Sequence, residues 1–358
     1  MYTYIDSYCL PIDPQRFREI EALLRRHDPL CVFWPDVDCY DVLTFRRQKT
    51  HYGAKTFALF DRNILVDVLE LIRPAALGLE PKCSDRGRIG AAVMCFLQAC
   101  NAIIEPSMSL YENPVRAGED LSLFRRADNV DASVYARIAL GQLDAVPCVE
   151  LPEPPHNLPA VDWHKPITYR RKLRVAVLKI AEIDLSDLTP LEKMQSYLRW
   201  TFDEYIFIPA AVLMAATHFS PQRVGAMLRN IRSGDRAKAI KGINNAVWDL
   251  HLLLHWTKCA NAQTEKNRIW ILCSRDGSIK RIARSLYGGE SKLDVTAARG
   301  KFYGSIWSPK DSARLCDLSG QLEENQNDPS RRLNGPLPSD YLEVLERDLE
   351  AEINDWRP

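Results

Sequence analysis

The clearest signals along the chain are two short, uninterrupted apolar runs, each followed by an aspartate and then by a helical pattern. The first is Thr56-Phe-Ala-Leu-Phe60. Continuous runs of this kind suit strands covered on both faces, the usual state of a parallel sheet. Beyond it, Ile64, Leu65, Val68, Leu69 and Ile72 recur at the spacing of one helix face. Asp61 stands at the junction, at the carboxyl end of the expected strand, where open α/β sheets place ligands. Asn63 is placed to cap the helix that follows. The second run, Arg268-Ile-Trp-Ile-Leu-Cys273, repeats the arrangement. Ser274-Arg275-Asp276 closes it, and Ser278 to Leu286 reads as a helix. An aspartate ahead of a helix is most simply a cap, but two at the ends of two buried strands can converge on one sheet edge.

The rest of the pattern is largely helical. Pro14 to Arg26 and Ile89 to Ala102 read as helices, the latter small, apolar and buried. Ser107 begins a further helix with Glu112 inside it, while Pro106 leaves Glu105 in a loop. A proline-rich crossing spans Val146 to Ala160. Thr189-Pro-Leu-Glu192 is a helix start, with a threonine cap, proline at the first position and glutamate at the third. Residues from about 120 to 235 therefore form a mostly helical block. Lys301 to Trp307 reads as a short strand, the chain from Asp317 as a polar extension, and Asp340 to Ile353 as an acidic helix.

Composition narrows the class only a little. The 358 residues can hold one large domain or two, and a formal net charge of zero favours no partner. The amino terminus lacks a basic stretch followed by an apolar one, so no secretory signal is expected. No apolar run approaches the roughly 20 residues of a membrane helix. Ten cysteines without a C-x-x-C pair, several in apolar runs, suit a reduced cytoplasmic setting.

Two further acids enlarge the carboxylate set. Asp249 lies on an otherwise apolar helix face just before the second strand, where a buried charge is costly unless paired or bound to a cation. Glu112 holds a comparable position in its helix. Carboxylates meeting at one edge make an oxygen-rich site suited to Mg²⁺ or Mn²⁺. The ordered segments Phe60-Asp61-Arg62-Asn63-Ile64-Leu65, Ser109-Leu110-Tyr111-Glu112, Ala246-Val247-Trp248-Asp249-Leu250 and Leu272-Cys273-Ser274-Arg275-Asp276 together resemble the PIN-domain superfamily of nucleases.

That resemblance implies a three-layer α/β/α sandwich with a central parallel sheet. It also implies metal-dependent cleavage of RNA, usually single-stranded. Asp61, Glu112, Asp249 and Asp276 would be the catalytic, metal-binding acids, with Asn63 and Ser274 as polar supports. Arg62, Arg275, Lys280 and Arg281 would meet the nucleic acid. Two departures stand out: the stretch from Glu112 to Asp249 is far longer than in a compact PIN domain, and Arg62 replaces a small residue. Glu105 competes with Glu112 for the second acid.

The expected organisation is a PIN-like domain over residues 1–310 with a helical insertion at about 120–235, then an extension over 311–358. The insertion or the tail could bind a protein partner or a second copy. Two other readings stay open: a non-catalytic PIN-like RNA-binding or scaffolding protein, and another metal-dependent phosphohydrolase. His251 and His255 lack a third ligand and read as semi-buried core residues, Asp36-Val37-Asp38 as a turn, and Gly288-Gly289 as a helix cap and turn.

Overall fold

The computed structural model describes residues 12–33, 37–79, 82–154, 160–165, 167, 169–222, 227–262, 267–286, 292–326 and 339–357. The Gly288-Gly289 turn and Asp36 of the D-x-D triplet lie outside these residues. The chain is mixed α/β with a small, mostly parallel sheet, and it divides into two compact units. One comprises residues 1–165 and 256–276, the other 166–255 and 277–358.

The first unit contains α1 (Pro14–His27), β1 (Leu30–Val32), α2 (Val42–Tyr52), β2 (Lys55–Phe60), α3 (Arg62–Leu77), α4 (Asp85–Ala99), β3 (Ile103–Glu105), α5 (Ser107–Tyr111), α6 (Ala117–Asp128) and α7 (Ala132–Ala139). The second unit begins with α8 (Arg170–Leu185), α9 (Pro190–Asp203), α10 (Pro209–Phe219) and α11 (Arg236–Asn261), whose last residues, from Trp256, belong to the first. After β4 (Arg268–Cys273) of the first unit come α12 (Gly277–Ser285), α13 (Lys292–Ile306), α14 (Pro309–Gln326) and α15 (Tyr341–Asp355) of the second.

The sheet order is β1-β4-β2-β3. β2 pairs in parallel with both neighbours, with Phe60 opposite Cys273 and Leu59 opposite Glu105, while β1 runs antiparallel at the edge of β4. The chain leaves β2 toward β3 on one side and later returns as β4 on the other. The carboxyl ends of β2 and β4 therefore flank the topological switch point, where a crevice for ligands forms in open α/β sheets.

Both faces of the sheet are buried, which explains why its two longer strands are continuously apolar. On one face Ala58, Phe60, Ile271 and Cys273 share a core with Phe17, Ile20 and Leu24 of α1, Val68 and Ile72 of α3, Phe96 of α4, Phe124 of α6 and Tyr135 of α7. On the other, Phe57 stacks on Trp270 at 4.8 Å, and the fully buried Trp256 donates its indole N–H to the Trp270 carbonyl at 3.3 Å. Helix α4 comes close to α3 because it is built of small residues. A Cβ at Gly90 would stand 3.1 Å from the Cβ of Asp67 and 3.2 Å from its carbonyl carbon.

The caps are local. Asp13 accepts from the amides of Gln15 and Arg16 ahead of α1, Asp41 from Leu43 ahead of α2, and Ser84 from Gly87 ahead of α4. The Thr189–Glu192 capping box forms as the sequence suggests. Asp38 of the expected turn pairs with Arg25 at 2.6 Å. The strands β1 and β3, three residues each, have no counterpart in the pattern reading.

Two expectations are corrected. Lys301 to Trp307 is not a strand: it closes α13, with Phe302, Tyr303 and Ile306 buried at helical spacing. The polar stretch from Asp317 continues α14, an amphipathic helix burying Leu315, Ser319 and Leu322 on one stripe. Helices α6 and α7 pack into the first unit's core, whereas α14 and α15 belong to the second unit.

In the second unit, Arg174 of α8 ties together Glu346 and Glu350 of α15, at 2.7 and 2.6 Å, and Asn244 of α11. Arg170 lies over the Trp248 ring at 4.5 Å. No disulfide links the described cysteines, and Cys95, Cys100 and Cys273 are buried. No described helix is long and apolar enough to cross a membrane.

Candidate active site

The pairing of β2 with β4 dictates the first contact. Because Phe60 and Cys273 are register partners, the next residues, Asp61 and Ser274, leave the sheet side by side. The Asp61 amide continues the ladder to the Cys273 carbonyl at 2.9 Å. Asp61 occupies the cap position of α3, but its side chain makes no capping bond to that helix. Its Oδ2 instead accepts from the Ser274 hydroxyl at 2.5 Å and from the Asn63 side-chain amide.

The sequence expectation that Asn63 caps α3 is thus corrected: the cap position is Asp61. Asn63 lies within the first turn, where its Nδ2 reaches Asp61 and its Oδ1 accepts the Arg275 amide at 3.0 Å. The serine oxygen in turn accepts the Asp276 amide at 3.0 Å. Asn63 and Ser274 thus stitch the two strand ends together around one buried carboxylate, 6% exposed.

Glu112 arrives by a third route. The Ser109 hydroxyl on α5 donates to the Phe60 carbonyl at the end of β2, and Arg62 reaches the Ser109 carbonyl at 3.3 Å. These bonds hold α5 over the strand end, and Glu112 stands just past its last residue instead of inside the helix. Glu105 is occupied elsewhere, its carboxylate accepting the Ser107 amide at 3.0 Å. Of the two glutamates, Glu112 is the one that feels Asp61.

The electrostatics follow from burial and mutual repulsion. Desolvation pushes the Asp61 carboxyl above its ordinary range, the hydrogen bond from Ser274 opposes this, and the charge of Asp276 adds to the rise. Glu112 is pushed up to about 7 by burial and then by the charge of Asp61, with Arg62 pulling the other way. Asp61, Asp276 and Glu112 thus lie at one end of the sheet within the first unit, Asp61 feeling the charge of Asp276 and Glu112 that of Asp61. Asp249 belongs to the second unit, half-buried on α11 between Trp248 and Leu250.

Two of the four basic residues expected to meet nucleic acid are held in ion pairs. Arg62 donates to Asp120 at 2.9 Å, and Arg275 grips Asp67 with two donors, at 2.5 and 3.1 Å. Asp120 is fully buried and also accepts from Arg73 at 3.0 Å. Lys280 is buried and Arg281 half-buried, both on α12 of the second unit. Asp67 and Asp120 escaped the pattern reading. The available signal was a single aspartate on an otherwise apolar helix stripe, which must find a cation to be buried. His251 behaves as the core residue expected, its imidazole pushed down to about 4 by burial, then by His255 and Arg170.

As a donor set, Asp61, Asp276 and Glu112 offer only hard oxygens, the chemistry of Mg²⁺ or Mn²⁺ instead of zinc. Among the described residues no three His, Cys, Asp or Glu side chains close into a ready-made cage. Mg²⁺ does not require one, since it is commonly held by one or two carboxylates with water and substrate phosphate completing the shell. The donor chemistry of the three acids suits an open site of that kind. No family model, curated protein or solved structure matches the chain.

Proposed function

We propose that the chain is a metal-dependent endoribonuclease of PIN-like type, with a three-layer α/β/α domain and its reacting centre at the carboxyl ends of β2 and β4. The observation that carries this reading is the convergence of Asp61 and Asp276 at the topological switch point, with Glu112 close enough to feel the Asp61 charge. These three acids of the first unit would hold one or two Mg²⁺ or Mn²⁺ ions. The bound cation would supply an activated water and neutralise charge on the phosphodiester. The protein's own part is orientation. Ser274 and Asn63 lock the Asp61 carboxylate, the Ser274 oxygen anchors the backbone at Asp276, and the Ser109 contact places Glu112.

The test is cleavage of a fluorescent single-stranded RNA in Mn²⁺, comparing the natural protein with Asp61→Asn and Asp276→Asn. Each variant is expected to lose about 100-fold or more, the scale at which disturbing a metal site is felt. Unchanged cleavage in both would refute the assignment, and hydrolysis of small phosphate esters without RNA cleavage would point to a phosphohydrolase.

A second reading is a non-catalytic PIN-like protein that binds or scaffolds RNA. It is favoured by the engagement of Arg62 and Arg275 in ion pairs and by the lack of a three-ligand cage among the described residues. RNA binding without cleavage, and without Mn²⁺ uptake, would select it.

A further inference from the structure

The second unit holds a cluster that the carboxylate site does not use. Lys193, Arg232 and His218 converge on one acid, Asp184. The Lys193 ammonium lies 2.7 Å from the Asp184 carbonyl and 3.5 Å from its Oδ1. Arg232 donates through Nη2 to the Asp184 carbonyl and, at 3.4 Å, to that of Ser186, while its Nε stands 3.6 Å from Asp184 Oδ2. Nε2 of His218 is also 3.6 Å from Oδ2, beyond hydrogen-bond range. Two permanent cations thus face one carboxylate, an excess of one positive charge before the imidazole is counted.

These four residues line a cavity of about 480 Å³ on the second unit. Among the described residues its remaining wall includes the hydroxyl residues Thr217 and Ser220 beside apolar Phe219 and Leu228. Both hydroxyls already donate to the backbone, to the carbonyls of Leu213 and Ile306. Most telling is His218. Its side chain is only 10% exposed, yet both ring nitrogens are buried without a hydrogen-bond partner among the described residues. A buried imidazole left so is costly, and His218 is one of the residues that line the cavity.

We propose that this cavity binds a phosphomonoester of nucleotide size. Its phosphate would be held by His218, Arg232 and Lys193, and its apolar body would lie against Phe219 and Leu228. The volume falls in the range of small-molecule sites, which combine apolar walls with a few convergent polar groups. Arginine suits the ligand because its planar fork presents five donors, more than the contacts to Asp184 and Ser186 consume. Asp184 sets the selectivity: its carboxylate positions the cations and repels an anion that does not reach all three.

The experiment is calorimetric titration of the full chain in EDTA with AMP, inorganic phosphate and adenosine, repeated on Arg232→Ala, His218→Gln and Asp61→Asn. Saturable binding is expected for AMP, weaker binding for phosphate and none for adenosine. Arg232→Ala and His218→Gln should each weaken AMP by about 10-fold or more, and Asp61→Asn should leave it unchanged. Arg232 is half exposed, so its replacement spares the core. The proposal is overturned if neither AMP nor phosphate saturates, if adenosine binds as well as AMP, or if both second-unit variants bind AMP like the natural protein. Loss of AMP binding in Asp61→Asn would equally overturn it, by moving the ligand to the other site.

Discussion

The Ser274 hydroxyl donates to Oδ2 of Asp61 across 2.5 Å, joining the ends of two parallel strands that lie 213 residues apart in the chain. The same oxygen accepts the Asp276 amide at 3.0 Å. One side chain therefore orients two acids. Removing it with Ser274→Ala leaves the buried Asp61 carboxylate short of a donor and frees the Asp276 backbone. RNA cleavage should fall about 10-fold or more, the usual scale for losing a group that orients a metal ligand. Ser274→Thr, which keeps the hydroxyl, should restore most of it. Equal activity in the alanine and threonine variants would remove Ser274 from the site.

Glu112 gives the site a pH signature. Its carboxyl rises from 4.5 to about 7, through burial and then the Asp61 charge. A carboxyl raised on folding binds more protons in the folded chain than in the unfolded one. Its stabilising contribution is therefore complete below about pH 4.5 and lost as pH climbs through 7. In EDTA, the Tm difference between the natural protein and Glu112→Gln should change across that window. Carbon NMR should place the Glu112 titration near 7 and move it downward in Asp61→Asn. A midpoint at the ordinary value would show that the two carboxylates do not meet.

Asp61 should be better for function than for stability. Desolvation and the Asp276 charge both oppose its ionisation. Without metal, Asp61→Asn should thus hold or raise the Tm near neutral pH while cleavage disappears, since asparagine keeps an acceptor for Ser274. A fall of several degrees would mean that Asp61 is chiefly structural.

The opposite behaviour is expected of Asp120. It is fully buried and clamped by Arg62 and Arg73, at 2.9 and 3.0 Å. Asp120→Ala strands both guanidinium groups and should cost about 3 to 5 kcal/mol, the range for breaking a buried pair. Urea denaturation measures it directly. A loss under about 1 kcal/mol would show that the two arginines find other partners.

How legible this was depends on where each signal sits. Asp61 and Asp276 were visible because each follows a run long and apolar enough to read as a buried parallel strand. Strands β1 and β3 were not, since three residues carry no periodicity and Ile103-Ile104-Glu105 runs straight into Pro106. Lys301 to Trp307 misled because its aromatics look strand-like, although Phe302, Tyr303 and Ile306 keep helical spacing. Asn63 reads from the sequence as a helix cap, whereas its side chain serves Arg275, a partner 212 residues away. Asp67 and Asp120 were overlooked for the same reason: their meaning lies in the arginines that tertiary packing brings to them.

The central claim is that the acids at the ends of β2 and β4 together hold a divalent cation, and Mn²⁺ titration followed by electron paramagnetic resonance tests it most directly. Saturable Mn²⁺ uptake is expected for the natural protein, displaced by Mg²⁺ and lost in both Asp61→Asn and Asp276→Asn. No uptake by the natural protein, or uptake undiminished in both variants, would contradict it.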